Sequence, residues 1–330
     1  MSRQSWKEFA IATDTKLAGS CLRILPAPPA LLIFVFHSLF ESAEEVARGL
    51  MDPQQAVTTE MFRRLLADLR DQGFRFVSPD DIVAGLDPGQ PCAMMTFDDG
   101  YANNLRALPV LEEFQAPAVF CIATNHVRAE KPFWWDVLYR ESHQRGWPDG
   151  KLDRARAAWK RLRTCDIEKQ LVAEFGRAAF QTVSDLDRPF TVAELAKFAS
   201  HPLVHIGNHT ADHAILTNYP LAEVREQIRG AQESLQKITG RVPAILAYPN
   251  GNVSRPVLQA ANKAGIRLGV TVQPGRNTIS STRSKNGALR LKRYTLWGTR
   301  DLASQCRWAQ SPFSLQTAWA AIRSKTIFTA

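Results

Sequence analysis

The chain has 330 residues, of which 45% are hydrophobic and 22% charged, and its formal net charge at neutral pH is +9. This composition is ordinary for a soluble globular protein with a large core, built as one domain or as one domain with an insertion. The five cysteines are scattered, with no C-x-x-C pair, which excludes a zinc ribbon or a disulfide framework and predicts reduced thiols. Residues 1–20 lack the apolar core of a signal peptide, and the most apolar window, 30–36, is too short to span a bilayer. We therefore predict a cytoplasmic location, which includes the inner face of the membrane.

Apolar runs and helical periodicity alternate along the chain. The predicted strands are Leu31–Phe36, Phe74–Val77, Ala93–Phe97, Ala118–Ile122, Leu203–Ile206, Ala244–Tyr248, Ile266–Val272 and a last strand near Leu289–Leu296. The predicted helices are Thr58–Asp71, one that begins at Ser78, Leu105–Phe114, Trp134–Gln144, Leu152–Phe180, Thr191–Ala199, Leu221–Ile238, Arg255–Ala264 and C-terminal helices. Alternation of this kind predicts a parallel sheet with helical crossovers, and seven or eight strands in one run favour a barrel over an open sheet.

Residues 131–188 break the alternation, since no strand is predicted there, and we interpret them as a helical insertion or lid. We expect three parts: an N-terminal extension (1–30), an α/β barrel (31–298) that carries the insertion, and a basic C-terminal helical extension (299–330). No glycine-rich phosphate loop is present, which disfavours a nucleotide-binding sheet.

Polar residues follow four of the predicted strands. They are His37, the pair Asp98 and Asp99, the pair His209 and His213, and the run Tyr248–Gly251. In a parallel barrel these strand ends meet on one face, where active sites are built. Adjacent residues on a strand point to opposite sides, so Asp98 and Asp99 can serve one pocket only if a turn at Gly100 redirects one of them. The alternative is an acidic turn that caps the next helix.

His209 and His213 have the spacing of a metal-chelating pair on one face of a helical turn. With one aspartate they would make a three-ligand site that leaves room for water, as a catalytic metal requires. Such a site suits Zn, Co, Ni or Fe. A structural or incidental pair of histidines remains the alternative.

The segments Thr96-Phe-Asp-Asp-Gly100 and Gly207-Asn-His-Thr-Ala-Asp-His213 resemble the first two motifs of the polysaccharide deacetylase family (NodB homology, carbohydrate esterase family 4). The resemblance covers about residues 30–125 and 190–296. It implies a distorted (β/α)7-type barrel and a divalent metal, zinc above all, held by Asp99, His209 and His213. It also implies that Asp98 is the general base in removal of an N-acetyl group from a sugar.

The sequence departs from the family pattern in two places. No histidine follows His213, so the usual late histidine that acts as general acid is absent. His37, at the end of the first strand, resembles a permuted version of that motif, and we assign it as the acid; the alternative is a histidine that only ends a strand. Ala247 stands where the family has an arginine beside the base, and Arg293 could supply that charge from another strand.

Four residues near these motifs are predicted to bind substrate: Tyr101, Trp135, Tyr248 and Asn250. A backbone N–H within 249–251 would stabilise the oxyanion. Trp134 and Trp135 begin the insertion, and aromatic side chains can stack on sugar rings, although at least one of the two is expected in the core.

The leading hypothesis is a metal-dependent de-N-acetylase that acts on a poly- or oligosaccharide or on a glycan precursor such as a sugar-lipid. Two alternatives stay open: a deacylase or deformylase for another amide or ester, and a catalytically inactive sugar-binding module. From residue 276 onward the chain has ten Lys/Arg and one acid, which suggests an anionic partner such as a membrane surface, an acidic glycan or a phosphate-bearing lipid. Solvated surface charge is the alternative. We expect peripheral membrane contact through the basic C-terminal end and no nucleic acid partner. An apolar stripe of Leu315, Trp319 and Ile322 could lie on that membrane or pack on the barrel.

Overall fold

The structure is a computed structural model, and it describes residues 28–148 and 150–312. Its strands are β1 (Leu31–Phe36), β2 (Arg75–Phe76), β3 (Cys92–Phe97), β4 (Ala118–Ile122), β5 (Val204–Asn208), β6 (Ile245–Ala247), β7 (Leu268–Val270) and β8 (Tyr294–Thr295). Its helices are α1 (Ala43–Ala47), α2 (Thr59–Asp71), α3 (Pro79–Ala84), α4 (Leu108–Phe114), α5 (Thr124–Ala129), α6 (Trp134–Gln144), α7 (Lys151–Trp159), α8 (Thr164–Phe175), α9 (Val192–Ala199), α10 (Leu221–Thr239), α11 (Arg255–Lys263), α12 (Ile279–Arg283), α13 (Lys285–Ala288) and α14 (Leu302–Gln310).

Local signals set the ends of several elements. The hydroxyls of Thr58 and Ser78 accept hydrogen bonds from backbone N–H groups three residues later and so cap α2 and α3. The predicted helix 152–180 is instead divided into α7 and α8. The amide of Asn218 donates to the backbone carbonyls of Lys160 and Leu162, both at 2.9 Å, and this tertiary contact satisfies carbonyls just past the end of α7.

The strands form one parallel sheet in the order β7-β6-β5-β4-β3-β1-β8, with β2 paired to β3. The two outer strands are brought together by the segment that precedes β8. There, the Leu291 N–H donates to the Gly269 carbonyl at 2.8 Å, and the Thr271 N–H donates to the Leu291 carbonyl at 2.9 Å. The sheet is therefore curled into a distorted barrel of the predicted α/β class, with helices around it.

Successive side chains along each strand point to opposite faces of the sheet, and this produces two separate hydrophobic cores. One set of alternate positions packs inside the curled sheet, including Ile33, Met94, Val119, Ile245 and Val270. The other set packs against the surrounding helices and includes Phe34, Phe36, Met95, Phe97 and Phe120. Because side chains alternate between the faces, the position after Phe97 belongs to the inward set.

Between β4 and β5 the chain forms the helices α5 to α9, and the insertion at 131–188 stays a prediction. None of the helices in the described residues is long and apolar enough to cross a membrane. The four cysteines within those residues form no disulfide. Most of the predicted N-terminal extension and the stripe of Leu315, Trp319 and Ile322 lie outside the described residues.

Candidate active site

The carboxyl ends of β1, β3, β5 and β6 meet at one edge of the curled sheet, because all their pairings are parallel. The polar residues that follow these four strands are therefore brought to one edge. This edge is the candidate active site.

Asp98 directly follows β3 and lies on its inward side, where it is 2% exposed. Arg293 holds its carboxylate with two parallel hydrogen bonds, Nη1 to Oδ1 at 2.8 Å and Nη2 to Oδ2 at 2.7 Å. Burial alone would raise the pKa of Asp98, but the charges of Arg293 and His209 outweigh it and hold the pKa well below its ordinary value. Asp98 is therefore ionised and oriented.

Arg293 is itself fully buried, in the segment that joins the two outer strands of the sheet. Its Nε donates to the Thr271 carbonyl at 2.8 Å, and its Nη1 also donates to the Thr96 hydroxyl at 3.0 Å. The structure thus places a guanidinium on Asp98 from a late strand, although Ala247 offers none from β6. A bidentate pair with the other nitrogen also bonded has the geometry that makes arginine effective at a buried site.

Asp99 leaves the strand with φ +79°, in the left-handed region that is unfavourable for a residue with a Cβ. This conformation redirects its side chain, so two adjacent aspartates enter one site. The predicted turn at Gly100 is also present, with φ +93°. The Nε2 atoms of His209 and His213 lie 3.3 and 3.4 Å from Asp99 Oδ1. The ligand atoms of these three residues all lie within 4.8 Å of one another.

The predicted helical turn around the histidines is wrong. Residues 209–213 form an irregular loop in which Thr210 and His213 have φ values of +66° and +49°. The pair converges because the loop folds back, with Asp99 between them, and helical spacing has no part in it. Such strained residues persist where the surrounding structure holds them, often at functional sites.

The two imidazoles are held in different ways. His209 Nδ1 lies 2.8 Å from the Ala247 carbonyl, which can only accept, so Nδ1 carries a proton and Nε2 is the nitrogen that faces Asp99 Oδ1. Burial lowers the pKa of His209, but the carboxylates of Asp98 and Asp99 outweigh it and raise the pKa. Burial lowers the pKa of His213 to about 3, so that ring is neutral at pH 7.

Both carboxylate oxygens of Asp99 are buried and accept no hydrogen bond from any described residue. Burial raises the pKa of Asp99, but the imidazoles of His209 and His213 outweigh it and lower the pKa. An ionised, buried carboxylate with unused lone pairs beside two imidazoles is a donor set that fits a divalent transition metal.

His37 follows β1 and is half-buried at the same edge. Its Nδ1 lies 2.7 Å from Gln55 Oε1, and its backbone carbonyl accepts a hydrogen bond from the Asn104 amide at 2.6 Å. A positive charge on His37 contributes to the lowered pKa values of Asp98 and Asp99, after burial and their nearer partners. The predicted acid, His37, and the predicted base, Asp98, are therefore close enough for the charge of one to affect the pKa of the other.

Two of the four predicted substrate contacts are corrected by their burial. Tyr101 and Tyr248 have no exposed surface. The Tyr101 hydroxyl donates to Asp136 Oδ2 at 2.7 Å and accepts from Trp135 Nε1 at 2.8 Å. The Tyr248 hydroxyl donates to the Leu289 carbonyl at 3.0 Å. Both side chains are buried and hydrogen-bonded within the protein, and they have no surface on which a sugar could lie.

The other two predicted contacts remain at the site. Asn250 is exposed, with φ +57°, in a 3₁₀ turn formed by Pro249–Gly251. Trp135 is only 7% exposed, and its ring packs against His213 with centroids 4.6 Å apart. Trp135 thus supports a candidate metal ligand and offers little area for stacking on a sugar.

Sequence reasoning missed Gln55, which contacts His37, and the role of the Ala247 carbonyl on His209. Neither could be found from a motif, since Gln55 lies in a loop 18 residues after His37 and Ala247 acts through its backbone. Trp297 was also missed: it follows β8 and is 40% exposed, which gives it the aromatic surface that Trp135 lacks.

The sequence matches the family model for polysaccharide deacetylases over residues 85–269, more than half of the chain. It is 20% identical over 254 residues to YxkH of Bacillus subtilis (strain 168), which carries a provisional polysaccharide deacetylase name. That match covers 75% of this chain and 66% of YxkH, so the chain spans just under two thirds of that relative's length.

The fold is similar to two solved deacetylases. The Streptococcus pyogenes deacetylase PplD has a TM-score of 0.57 and 19% identity, with 84% of this chain and 96% of PplD covered. A de-N-acetylase from Aggregatibacter actinomycetemcomitans has a TM-score of 0.58 and 14% identity, with 84% and 99% covered. At these identities the likeness shows the barrel fold, and the family is shown by the sequence match. The chain therefore belongs to the polysaccharide deacetylase family, whose members are hydrolases that act on amide bonds.

Proposed function

We propose that this protein is a metal-dependent hydrolase that removes N-acetyl groups from an N-acetylated sugar of a polysaccharide, an oligosaccharide or a glycan precursor. The observation that carries the proposal is that the two aspartates at the end of β3 have different partners. Ionised Asp98 is paired with Arg293, whereas Asp99 faces two imidazoles and its carboxylate oxygens accept no hydrogen bond from the described residues. The first arrangement suits a base and the second a metal ligand. Family membership supports the same chemistry.

Asp99, His209 and His213 would hold the metal, for which zinc is the favoured identity and Co, Ni or Fe also suit two imidazoles and one carboxylate. A divalent ion bound there supplies a water of lowered pKa and polarises the carbonyl of the amide. The Ala247 carbonyl orients His209, and the ring of Trp135 packs on His213.

Asp98 accepts the proton of the attacking water, since it is ionised and its carboxylate is held rigidly by Arg293. His37 donates a proton to the departing amine. In the turn formed by Pro249–Gly251, proline has no N–H and the Gly251 N–H donates to the Tyr248 carbonyl at 2.7 Å. Asn250 is the remaining residue of this turn whose N–H can stabilise the developing oxyanion.

The sugar ring would lie against residues that are exposed at this edge. Trp297 and Val272 are each 40% exposed and follow β8 and β7, so we assign the stacking role to Trp297 in place of Trp135. PplD was solved in complex with acetate, the acid that an N-acetyl group releases, and this supports acetate as the product sought here.

The test is acetate release from N-acetylhexosamine oligomers by the full chain, with zinc, cobalt, nickel or iron added in turn. We expect release that a chelator abolishes and the metal restores. Release should fall strongly in Asp98→Asn and His37→Ala, while His143→Ala, a control at an exposed histidine on α6, should keep wild-type activity.

Other outcomes separate the alternatives. Release of formate or another acid in place of acetate would favour a different deacylase, and sugar binding with no acid released would favour a binding module. Full activity in His37→Ala would contradict the assignment of His37 as the acid.

We also infer contact with an anionic membrane surface. No acidic residue lies between Glu233 and Asp301. The exposed side chains of Arg255, Arg267 and Arg283 line two neighbouring grooves beside α11, α12 and α13, and neither groove is lined by a carboxylate. Clustered arginines without acidic partners favour anionic headgroups.

Co-sedimentation with vesicles tests this contact. Vesicles that contain phosphatidylglycerol should bind the protein and pure phosphatidylcholine vesicles should not. The double variant Arg267→Glu/Arg283→Glu should lose binding, and the control Arg229→Glu on α10 should keep it. Equal binding by the two variants would contradict the contact. The cytoplasmic location stays a prediction.

A further inference from the structure

The loop before α2 presents Gln55 to His37 in a strained conformation. The residues on either side of it, Gln54 and Ala56, have φ values of +46° and +52°, in a region that residues with a Cβ rarely adopt. Two such residues that flank one side chain mark a place where the surrounding structure dictates the backbone.

The same loop is held from the other side by β8 and its continuation. The Gly298 N–H donates to the Gln55 carbonyl at 2.7 Å. A Cβ at position 298 would lie 2.0 Å from the Ala56 carbonyl oxygen, so only glycine permits this approach. The backbone of Gln55 is therefore clamped between two parts of the barrel edge.

The side chain of Gln55 is 4% exposed and has every polar atom committed. Its Nε2 donates to the Val35 carbonyl at 2.6 Å and to the Leu296 carbonyl at 3.0 Å, and its Oε1 lies 2.7 Å from His37 Nδ1. Both carbonyls can only accept, so the amide orientation follows from its partners: the NH₂ group faces them, and Oε1 must accept from His37.

We infer that Gln55 is a positioning residue that keeps the proton of neutral His37 on Nδ1 and leaves Nε2 as the atom that delivers a proton at the site. The inference rests on the proposed function for its role in the reaction. As the C–N bond breaks, the Nε2–H of the imidazolium passes to the amine nitrogen, and the ring becomes neutral with Nδ1–H still bonded to Gln55. A neutral amide orients the ring in this way without adding a charge.

A measurement without substrate tests the tautomer directly. Long-range ¹H–¹⁵N spectra of the histidine rings, with the His37 signals identified by their loss in His37→Ala, should show the Nδ1–H form in the wild type at alkaline pH. Gln55→Met should lose that preference. Gln90→Met should keep it; Gln90 also donates from Nε2 to two backbone carbonyls, those of Gly73 and Pro91, but contacts no histidine.

An activity measurement then tests the consequence. In Gln55→Glu a carboxylate replaces the amide oxygen and stabilises the imidazolium, so the alkaline limb of the kcat–pH profile should move up by about one pH unit or more. Gln90→Glu should leave the limb unchanged. A fold lost through the missing amide donation would show as a lowered melting temperature in either variant and would not move the limb.

The outcomes separate the inference from the function on which it rests. An Nε2–H tautomer in the wild type, or an unmoved limb in a folded Gln55→Glu, would overturn the positioning role even if acetate is released. No acetate release from a wild type that shows the Nδ1–H tautomer would overturn the proposed function and leave the contact between Gln55 and His37 intact.

Discussion

Two regions of the molecule meet at the site and shift the pKa values of their buried carboxyl groups in opposite directions. At the end of β3, Asp98 and Asp99 have lowered pKa values and stay ionised. On α6, between β4 and β5, burial raises the pKa of Asp136 well above its ordinary value, and the charge of Asp52 raises it further. None of the three is more than 2% exposed, so burial does not explain the difference.

The partners within reach explain it. The acids of β3 face the guanidinium of Arg293 and two imidazoles, which favour the charged form. Among the described residues, Asp136 has two hydrogen-bond donors and no cationic partner: the Tyr101 hydroxyl at 2.7 Å and the Asp52 N–H at 3.0 Å. The end of β3 therefore holds carboxylates beside cationic groups, whereas Asp136 joins elements through hydrogen bonds and has a raised pKa. Aspartate-to-asparagine substitutions, which keep the size of the side chain, should have graded effects.

Asp99→Asn should have the largest effect. It removes the anionic donor from the predicted metal site, so metal affinity should fall by more than about 100-fold, beyond the usual effect of losing an orienting partner, and acetate release should fall to background. Zinc content after dialysis and the activity assay measure the two. A variant that retains zinc would contradict the ligand role of Asp99.

Asp98→Asn should follow. Loss of the base should lower kcat by about 10²–10⁴-fold, while zinc content stays at the wild-type level because the three predicted ligands remain. Steady-state kinetics with metal analysis on the same sample checks both. Loss of metal together with activity would show that Asp98 acts in metal binding instead.

Arg293→Met tests the contribution of the cation that pairs with Asp98. It leaves the Asp98 charge buried without its cation, so the free energy of unfolding should fall by about 3–5 kcal/mol. Urea denaturation measures this, with Arg229→Met as the control: Arg229 pairs with Glu226 on the surface, where side chains are 66% and 65% exposed, and should contribute about 1 kcal/mol or less. Equal losses of unfolding free energy in Arg293→Met and Arg229→Met would contradict the distinction between the buried and the exposed ion pair.

The same pair predicts a dependence on pH. Because the pKa of Asp98 is lowered in the folded protein, the stability that the pair contributes is complete above the ordinary aspartate pKa of about 3.9 and is lost as the pH falls below it. The difference in unfolding free energy between wild type and Arg293→Met should therefore narrow in acid.

Asp136→Asn should have the smallest effect. The amide oxygen can accept from the Asp52 N–H, but the Tyr101 hydroxyl, which donates to Asp136, then loses its acceptor. The free energy of unfolding should therefore fall by about 1–3 kcal/mol, and activity should stay at the wild-type level. Urea denaturation and acetate release are the measurements. A loss of stability as large as that of Arg293→Met, or a loss of activity, would remove the contrast between the two regions.

Much of the fold could be predicted from local pattern. The alternation of strands and helices led to a parallel barrel, and caps such as Ser78 located helix ends, because strand pairing and capping depend on a few neighbouring residues. The motif residues Asp98, Asp99, His209 and His213 could be placed at strand ends for the same reason. Their positions directly after predicted strands are enough to place them at one edge of a parallel sheet.

Contacts between distant segments could not be predicted in the same way. Arg293 reaches Asp98 across 195 positions because the sheet curls and brings β8 beside β1. Gln55 reaches His37 because residues that follow β8, Leu296 and Gly298, hold it by hydrogen bonds. Tyr101 and Tyr248 could be named as polar residues near motifs, but their burial depends on what packs over them. Whether a side chain faces solvent, and which cation meets which acid, is a property of the packed barrel edge and not of any one segment.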